Sequence, residues 1–138
     1  MPQTSILYPA FAHVVLTIVV MCIMAQRRSA SMKAKKHDFK DVALGQDVWA
    51  EAATKAARNY SNQFEMPVLF HAACAMALAA KAVDQTLIYL AWAFVAARVA
   101  HSVIHVGHNN VPQRALAFAL SALIALAMWI VLVLRAAA

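Results

Sequence analysis

Charge is scarce in this 138-residue chain: Asp, Glu, Lys and Arg make up 13% of it, about half the share of an ordinary soluble domain. Combined with 64% hydrophobic residues and a mean hydropathy of +0.65, that scarcity excludes a soluble class and points to a membrane protein. Four spans of ~20 residues would use more than half of the length, so little is left for a soluble domain. Cysteine is sparse as well. Cys22 and Cys74 lie in apolar runs, where a thiol packs as a small hydrophobe, and two thiols supply no disulfide framework. Neither has the electropositive, partly exposed setting that a nucleophilic thiolate requires. A basic n-region is missing too: Met1-Pro2-Gln3-Thr4-Ser5 runs straight into an apolar segment, which is therefore expected to be retained rather than cleaved.

The formal charge of +6 does not point to nucleic acid. Half of the twelve Lys and Arg fall between Arg27 and Lys40, without the interleaved aromatic side chains on which bases stack. A basic connection beside a span, as the positive-inside rule describes, accounts for the cluster. No nucleic-acid partner is expected.

The apolar runs divide the chain into an all-α, integral membrane four-helix bundle. A first span is expected at about residues 6–25, long enough to cross a bilayer. An aqueous basic loop follows at about 26–47, with Gly45 as a breaker. The second helix, at about 48–80, has a polar first half and an apolar second half, and reads as one long helix projecting from the membrane into the cytoplasm. Pro67 would kink it, a disruption tolerated where neighbours satisfy the freed carbonyl. The third span is expected at about 86–106 and the fourth at about 113–134. Between them lies the turn Gly107-His108-Asn109-Asn110-Val111-Pro112, rich in turn-forming residues. Alanine enrichment suits close helix packing in lipid. The six cations of the first loop outnumber Lys81 and Arg114 in the others, so that loop is expected in the cytoplasm and both termini on the opposite side.

That topology gathers chemistry at one depth. Arg58, Asn62 and Glu65 share a face of the second helix, Arg98, His101 and His105 share a face of the third, and Arg114 begins the fourth at the same level. A charge within a bilayer costs at least ~2.5 kcal/mol, so such residues face a partner or a wet cavity. One possibility is a Glu65–Arg98 pair with the remaining groups satisfied locally. Against it stands the excess of cations, since Arg58, Arg98 and Arg114 are balanced by Glu65 alone and retain capacity for an anionic ligand.

The stretch Arg58-Asn59-Tyr60-Ser61-Asn62-Gln63-Phe64-Glu65-Met66-Pro67, and the stretch Arg98-Val99-Ala100-His101 through His105 to Arg114, resemble the second- and third-helix motifs of the MAPEG family, membrane-associated proteins of eicosanoid and glutathione metabolism. They are similar to its microsomal glutathione transferase-like, bacterial-type members. The resemblance implies a homotrimer in a bacterial inner membrane, with glutathione bound between subunits near the cytosolic face. It further implies that Arg58, Asn62, Glu65, Arg98 and His101 hold the glutathione. Arg114 would stabilise its thiolate, and His105 stands where many members carry a tyrosine. The second substrate would be a lipophilic electrophile or a hydroperoxide arriving from membrane lipid. Two other readings are open: a non-catalytic protein that binds a lipid or anionic small molecule at the same basic layer, and a metal site on His101, His105 and His108. The second lacks the several histidine boxes that membrane oxygenases use, and no metal ligand is assigned.

Overall fold

The computed structural model describes residues 2–35, 39–45 and 48–136. After a 3₁₀ turn at Gln3–Ile6 come α1 (Leu7–Lys35), α2 (Phe39–Ala43), α3 (Glu51–Ser61), α4 (Met66–Ala79), α5 (Gln85–Val106) and α6 (Val111–Ala136). No strand occurs among the described residues. Three stretches are long and apolar enough to cross a membrane: Gln3–Ala34, Gln85–Val106 and Val111–Arg135. The protein is thus an all-α, integral membrane helical bundle. Exposed Tyr8, Tyr89 and Trp92 are amphipathic rings of the kind that collect at the membrane–water interface.

Three expectations are corrected. The single helix expected over 48–80 is two helices, α3 and α4, separated at residues 62–65. Pro67 sits in the first turn of α4, where its missing N–H is harmless. A continuous helix would instead drive its ring against the carbonyl four residues back, so the backbone opens, with Glu65 at φ −91°, ψ −101°. Second, α4 alone, with 14 residues, extends about 21 Å, less than the ~30 Å hydrocarbon core. Among the described residues three membrane-length helices are therefore present where four were expected, and α3 with α4 together run the length of the bundle. Third, the first connection is largely helical rather than an open loop, since α1 continues to Lys35 and α2 follows. Ala, Met, Lys and Arg favour helix, and no Gly or Pro intervenes before Gly45. Residues 36–38 and 46–47 of that expected loop lie outside the described residues.

The extension of α1 is tied down by α3 and its approach. Ser31 Oγ accepts from Ala50 N at 2.8 Å, the Arg28 guanidinium lies 4.9 Å from the Trp49 ring centre, and Arg27 Nη1 donates to Ala52 O and to Val106 O at 3.3 and 3.1 Å. On α3 itself, Lys55 pairs with Glu51 at 2.6 Å and holds that carboxyl below its ordinary range. At the opposite end, Gln3 brackets the backbone of Val83, and Arg135 pairs with Asp84 at 2.8 Å. Asp84 also caps α5, accepting from Leu87 N at 2.9 Å. The two termini and the α4–α5 turn therefore share one end, and the Gly107–Arg114 turn shares the other with α3.

The interior changes character along its length. In the half nearer the termini, Phe70 and Phe94 stack at 4.3 Å among buried Ile6, Ala73, Ala77 and Met128. Alanines at these contacts let the helices approach closely. The other half holds buried polar side chains: Asn59, Gln63, Arg98, His101, Ser102 and His105.

The turn into α6 depends on Gly107, where an added Cβ would fall 2.9 Å from Val103 O. A backbone oxygen cannot give way as a side-chain tip can. Gly107→Ala is expected to destabilise the protein by roughly 1–3 kcal/mol. An unfolding midpoint in detergent equal to that of the parent would contradict this role.

Candidate functional site

The break between α3 and α4 positions the site. An uninterrupted helix would use Asn62 O to accept from residue 66; here it accepts from Arg98 Nη2 of α5 at 2.7 Å. Arg98 is fully buried. A guanidinium at this depth needs acceptors, and the opened turn supplies one. Its Nε and Nη1 are buried without a hydrogen bond.

On the outer side of the break is a cavity of about 570 Å³, within the size range of small-molecule sites. Arg58, Asn62, Glu65, His101, His105 and Arg114 line it, with Phe118 on its apolar side. Six of the seven residues anticipated for the site thus come together. The seventh, Arg98, lies behind the wall, held to the Asn62 carbonyl. The Glu65–Arg98 ion pair considered from sequence does not form: among the described residues the ion pairs are Lys55–Glu51 and Arg135–Asp84.

Hydrogen bonds orient the lining groups. With its nitrogen facing Glu65, the Asn62 amide donates to both carboxylate oxygens at 3.1 and 3.0 Å. The other side of the amide lies 3.4 Å from His105 Nδ1, so its oxygen accepts the imidazole proton. His101 Nδ1 donates to Arg114 O at 3.2 Å, fastening α5 to the start of α6. The Nε2 atoms of both histidines are buried and unpartnered. With the proton on Nδ1 they are lone pairs, the mark of the neutral imidazole tautomer. Arg114 Nη1 donates to Asn109 Oδ1 at 2.7 Å. Asn109 has φ +51°, a left-handed conformation that Asn tolerates better than most residues, and its turn sets the acceptor beside Arg114.

The arrangement can hold an anion. Arg58 and Arg114 bring two guanidiniums to the cavity without an ion-pair partner among the described residues, and Glu65 adds an acceptor for an ammonium group. A second cavity of about 420 Å³ adjoins through Arg58, His105 and Arg114, and reaches Trp49 and Lys55. Sequence reasoning missed Asn109 as the residue that steadies Arg114, and Gln63 as a buried hub. Gln63 Nε2 donates to Ser102 Oγ at 3.1 Å and to Asn59 O at 3.1 Å. Its position between Asn62 and Glu65 was the available signal. The three-histidine spacing does not assemble: α5 ends at Val106, and exposed His108 turns to Gln113 Oε1 at 2.7 Å. No cluster of three His, Cys, Asp or Glu suited to a metal occurs among the described residues.

The burial contrast between the arginines is measurable. Arg98→Ala leaves the Asn62 carbonyl without its donor and is expected to lower stability by ~1–3 kcal/mol. Arg58→Ala, at an exposed side chain, is expected to stay within ~0.5 kcal/mol of the parent. Equal losses in thermal unfolding would show that the Arg98 contact does not support the break.

No curated protein and no solved structure matches the chain. The sequence profile of the MAPEG family does, over residues 6–134. That match runs from the first membrane helix through the last and takes in the whole cavity, so the chain belongs to the MAPEG family.

Proposed function

We propose that this protein binds glutathione at the Arg58–Arg114 cavity and transfers its thiolate to a lipophilic electrophile, or uses it to reduce a lipophilic hydroperoxide. The observation that carries the reading is the gathering of two guanidiniums without an ion-pair partner among the described residues, a carboxylate and two buried imidazoles around one cavity in a membrane protein of this family. Glutathione carries two carboxylates, one ammonium and a thiol. Arg58 suits a carboxylate, Glu65 the ammonium, and Asn62 with His101 the polar backbone of the tripeptide. Arg98 supports them from behind, with buried donors still free.

Arg114 is assigned to the thiol. A free thiol has a pKa of ~8.5 and is mostly protonated at neutral pH; a guanidinium beside it favours the thiolate, which is the nucleophile. His105, steadied by Asn62, lies on the same wall and offers a polar ring where a hydroxyl would serve in many relatives. Arg58 and Glu65 are exposed in the single chain, so one side of the cavity is open where a neighbouring subunit of a homotrimer would close it. In this reading the positive-inside rule turns the basic end of the bundle toward the cytoplasm at a bacterial inner membrane, with both termini on the other side. Glutathione then comes from the cytosol and the second substrate from the lipid.

Purified protein in detergent is expected to conjugate glutathione to a hydrophobic electrophile. Arg114→Ala should lower the rate at neutral pH by at least about tenfold and move the rising limb of the pH–rate profile to higher pH. An equally active Arg114→Ala variant removes that residue from thiol activation, and a parent that neither binds nor consumes glutathione overturns the reading itself. His105→Tyr is expected to keep activity that His105→Phe loses, as compared by initial rates.

A further inference from the structure

A groove between α1 and α5, with α3 at its floor, shares no lining residue with the Arg58–Arg114 cavity. Its volume is about 320 Å³. Leu16, Val19 and Ile23 of α1 face Val99 and Val103 of α5 across it, and spacings of three and four residues keep each set on one helix face. Val19, Val99 and Val103 are exposed on the bundle surface, so the groove opens toward lipid. From Leu16 to Arg27, which also lines it, it follows α1 for about 16 Å.

The polar groups of the groove stand at two levels. At the mouth, beside Gly107, Arg27 Nη1 donates to Ala52 O and Val106 O at 3.3 and 3.1 Å. Its Nη2 and Nε have no partner among the described residues, and neither ion pair there includes it. Ser102 lies four residues before Val106 on α5, about 6 Å deeper, and Gln63 ties it to Asn59. Gln63 Nε2 is 3.1 Å from Ser102 Oγ and 3.3 Å from Asn59 Oδ1. The direction of these bonds is fixed by the Asn59 backbone carbonyl, which can only accept and takes Gln63 Nε2 at 3.1 Å. Asn59 therefore turns its amide oxygen to Gln63, and its Nδ2 is left as a buried donor without a partner. The Ser102 hydroxyl, an acceptor toward Gln63, still has its own proton to donate. Among the lining residues there is no Asp or Glu.

We infer that this groove holds an anionic glycerophospholipid, with its phosphate at Arg27, an ester carbonyl accepting from Asn59 Nδ2, and one acyl chain along α1 and α5. The order of the groups decides the class. A cation stands at the mouth, donors about one helical turn deeper, and hydrocarbon walls beyond; a glycerophospholipid presents an anion, ester carbonyls and hydrocarbon in that same order. A fatty acid, with one polar head, leaves one level empty. A guanidinium suits phosphate, and a basic site between membrane helices favours an anionic head over a choline head, for which no acid is present. An unpaired amide donor at membrane depth is unfavourable, and the carbonyl removes that deficit. The site is independent of glutathione binding.

The test is native mass spectrometry of the full chain in detergent with added dioleoylphosphatidylglycerol, its di-O-oleyl ether analogue, or dioleoylphosphatidylcholine. A single saturable adduct per chain is expected for the ester phosphatidylglycerol, held roughly three- to tenfold more tightly than either comparator. Val103→Trp fills the groove from its lipid-exposed edge and should remove the adduct at an unchanged unfolding midpoint, while Arg27→Gln should remove the preference for the glycerol over the choline head. Nitrogen NMR with labelled asparagine gives a readout that needs no variant: the ester lipid shifts the Asn59 side-chain amide, and the ether leaves it in place. Equal retention of ester and ether, or an Asn59 amide unmoved by the ester, overturns the proposal. So does a parent that takes up no lipid while Val103→Trp loses self-association, an outcome that gives the groove to a second copy of the chain.

Discussion

The contact between the Arg98 guanidinium and the Asn62 carbonyl is the constraint on which the working end of the bundle depends. Pro67 opposes a continuous second helix at this point, by ring clash and a missing N–H. A break at membrane depth leaves carbonyls without amide partners, and such groups persist only where protein satisfies them. Arg98 does so at 2.7 Å. The same contact gives the arginine an acceptor in a place where an unpartnered cation would be strongly unfavourable. Each group solves the other's problem, and together they fix Asn62 and Glu65 at the rim of the cavity.

From that point the site follows from hydrogen-bond direction. Asn62 can satisfy both Glu65 and His105 only in one amide orientation, and this in turn sets the His105 tautomer. His101 is set by the Arg114 carbonyl, and Arg114 by Asn109. The lining is thus preorganised, with Asn62, Glu65, His101, His105 and Arg114 each oriented by a hydrogen-bonded neighbour. Its net charge is positive because Glu65 is the one acid against Arg58 and Arg114 on the lining, while Glu51, on the adjoining wall, is already engaged by Lys55.

Much of this was legible in the sequence. Hydropathy fixes α1, α5 and α6, since an apolar stretch of span length has few alternatives, and the ends of α5 and α6 fall within two residues of expectation. The spacing of Arg58, Asn62 and Glu65, and of Arg98, His101 and His105, suggested two facing stripes, and all of these but Arg98 line one cavity. Less legible was whether Pro67 would bend the helix or divide it, because that depends on a donor 31 residues further along the chain. Composition also misled at 26–35, where basic residues suggested a loop: Lys and Arg are good helix formers, and the anchors on Ser31 and Arg28 come from the far side of a connection. Pairing Glu65 with Arg98 was natural from charge alone; three-dimensional placement gave the arginine to a carbonyl instead.

The division of the second helix has a mechanical consequence. Through Arg27, Arg28 and Ser31, α3 is bound to α1, while Asn62 and Glu65 are bound through Arg98 and His105 to α5. Arg58 therefore sits at the end of α3 and Glu65 in the four-residue joint that follows it, each held through different neighbours, with Arg27 linking α1 to both α3 and α5. A ligand that grips both would act as a splint across that joint, and its grip would depend on the angle between α1 and α5.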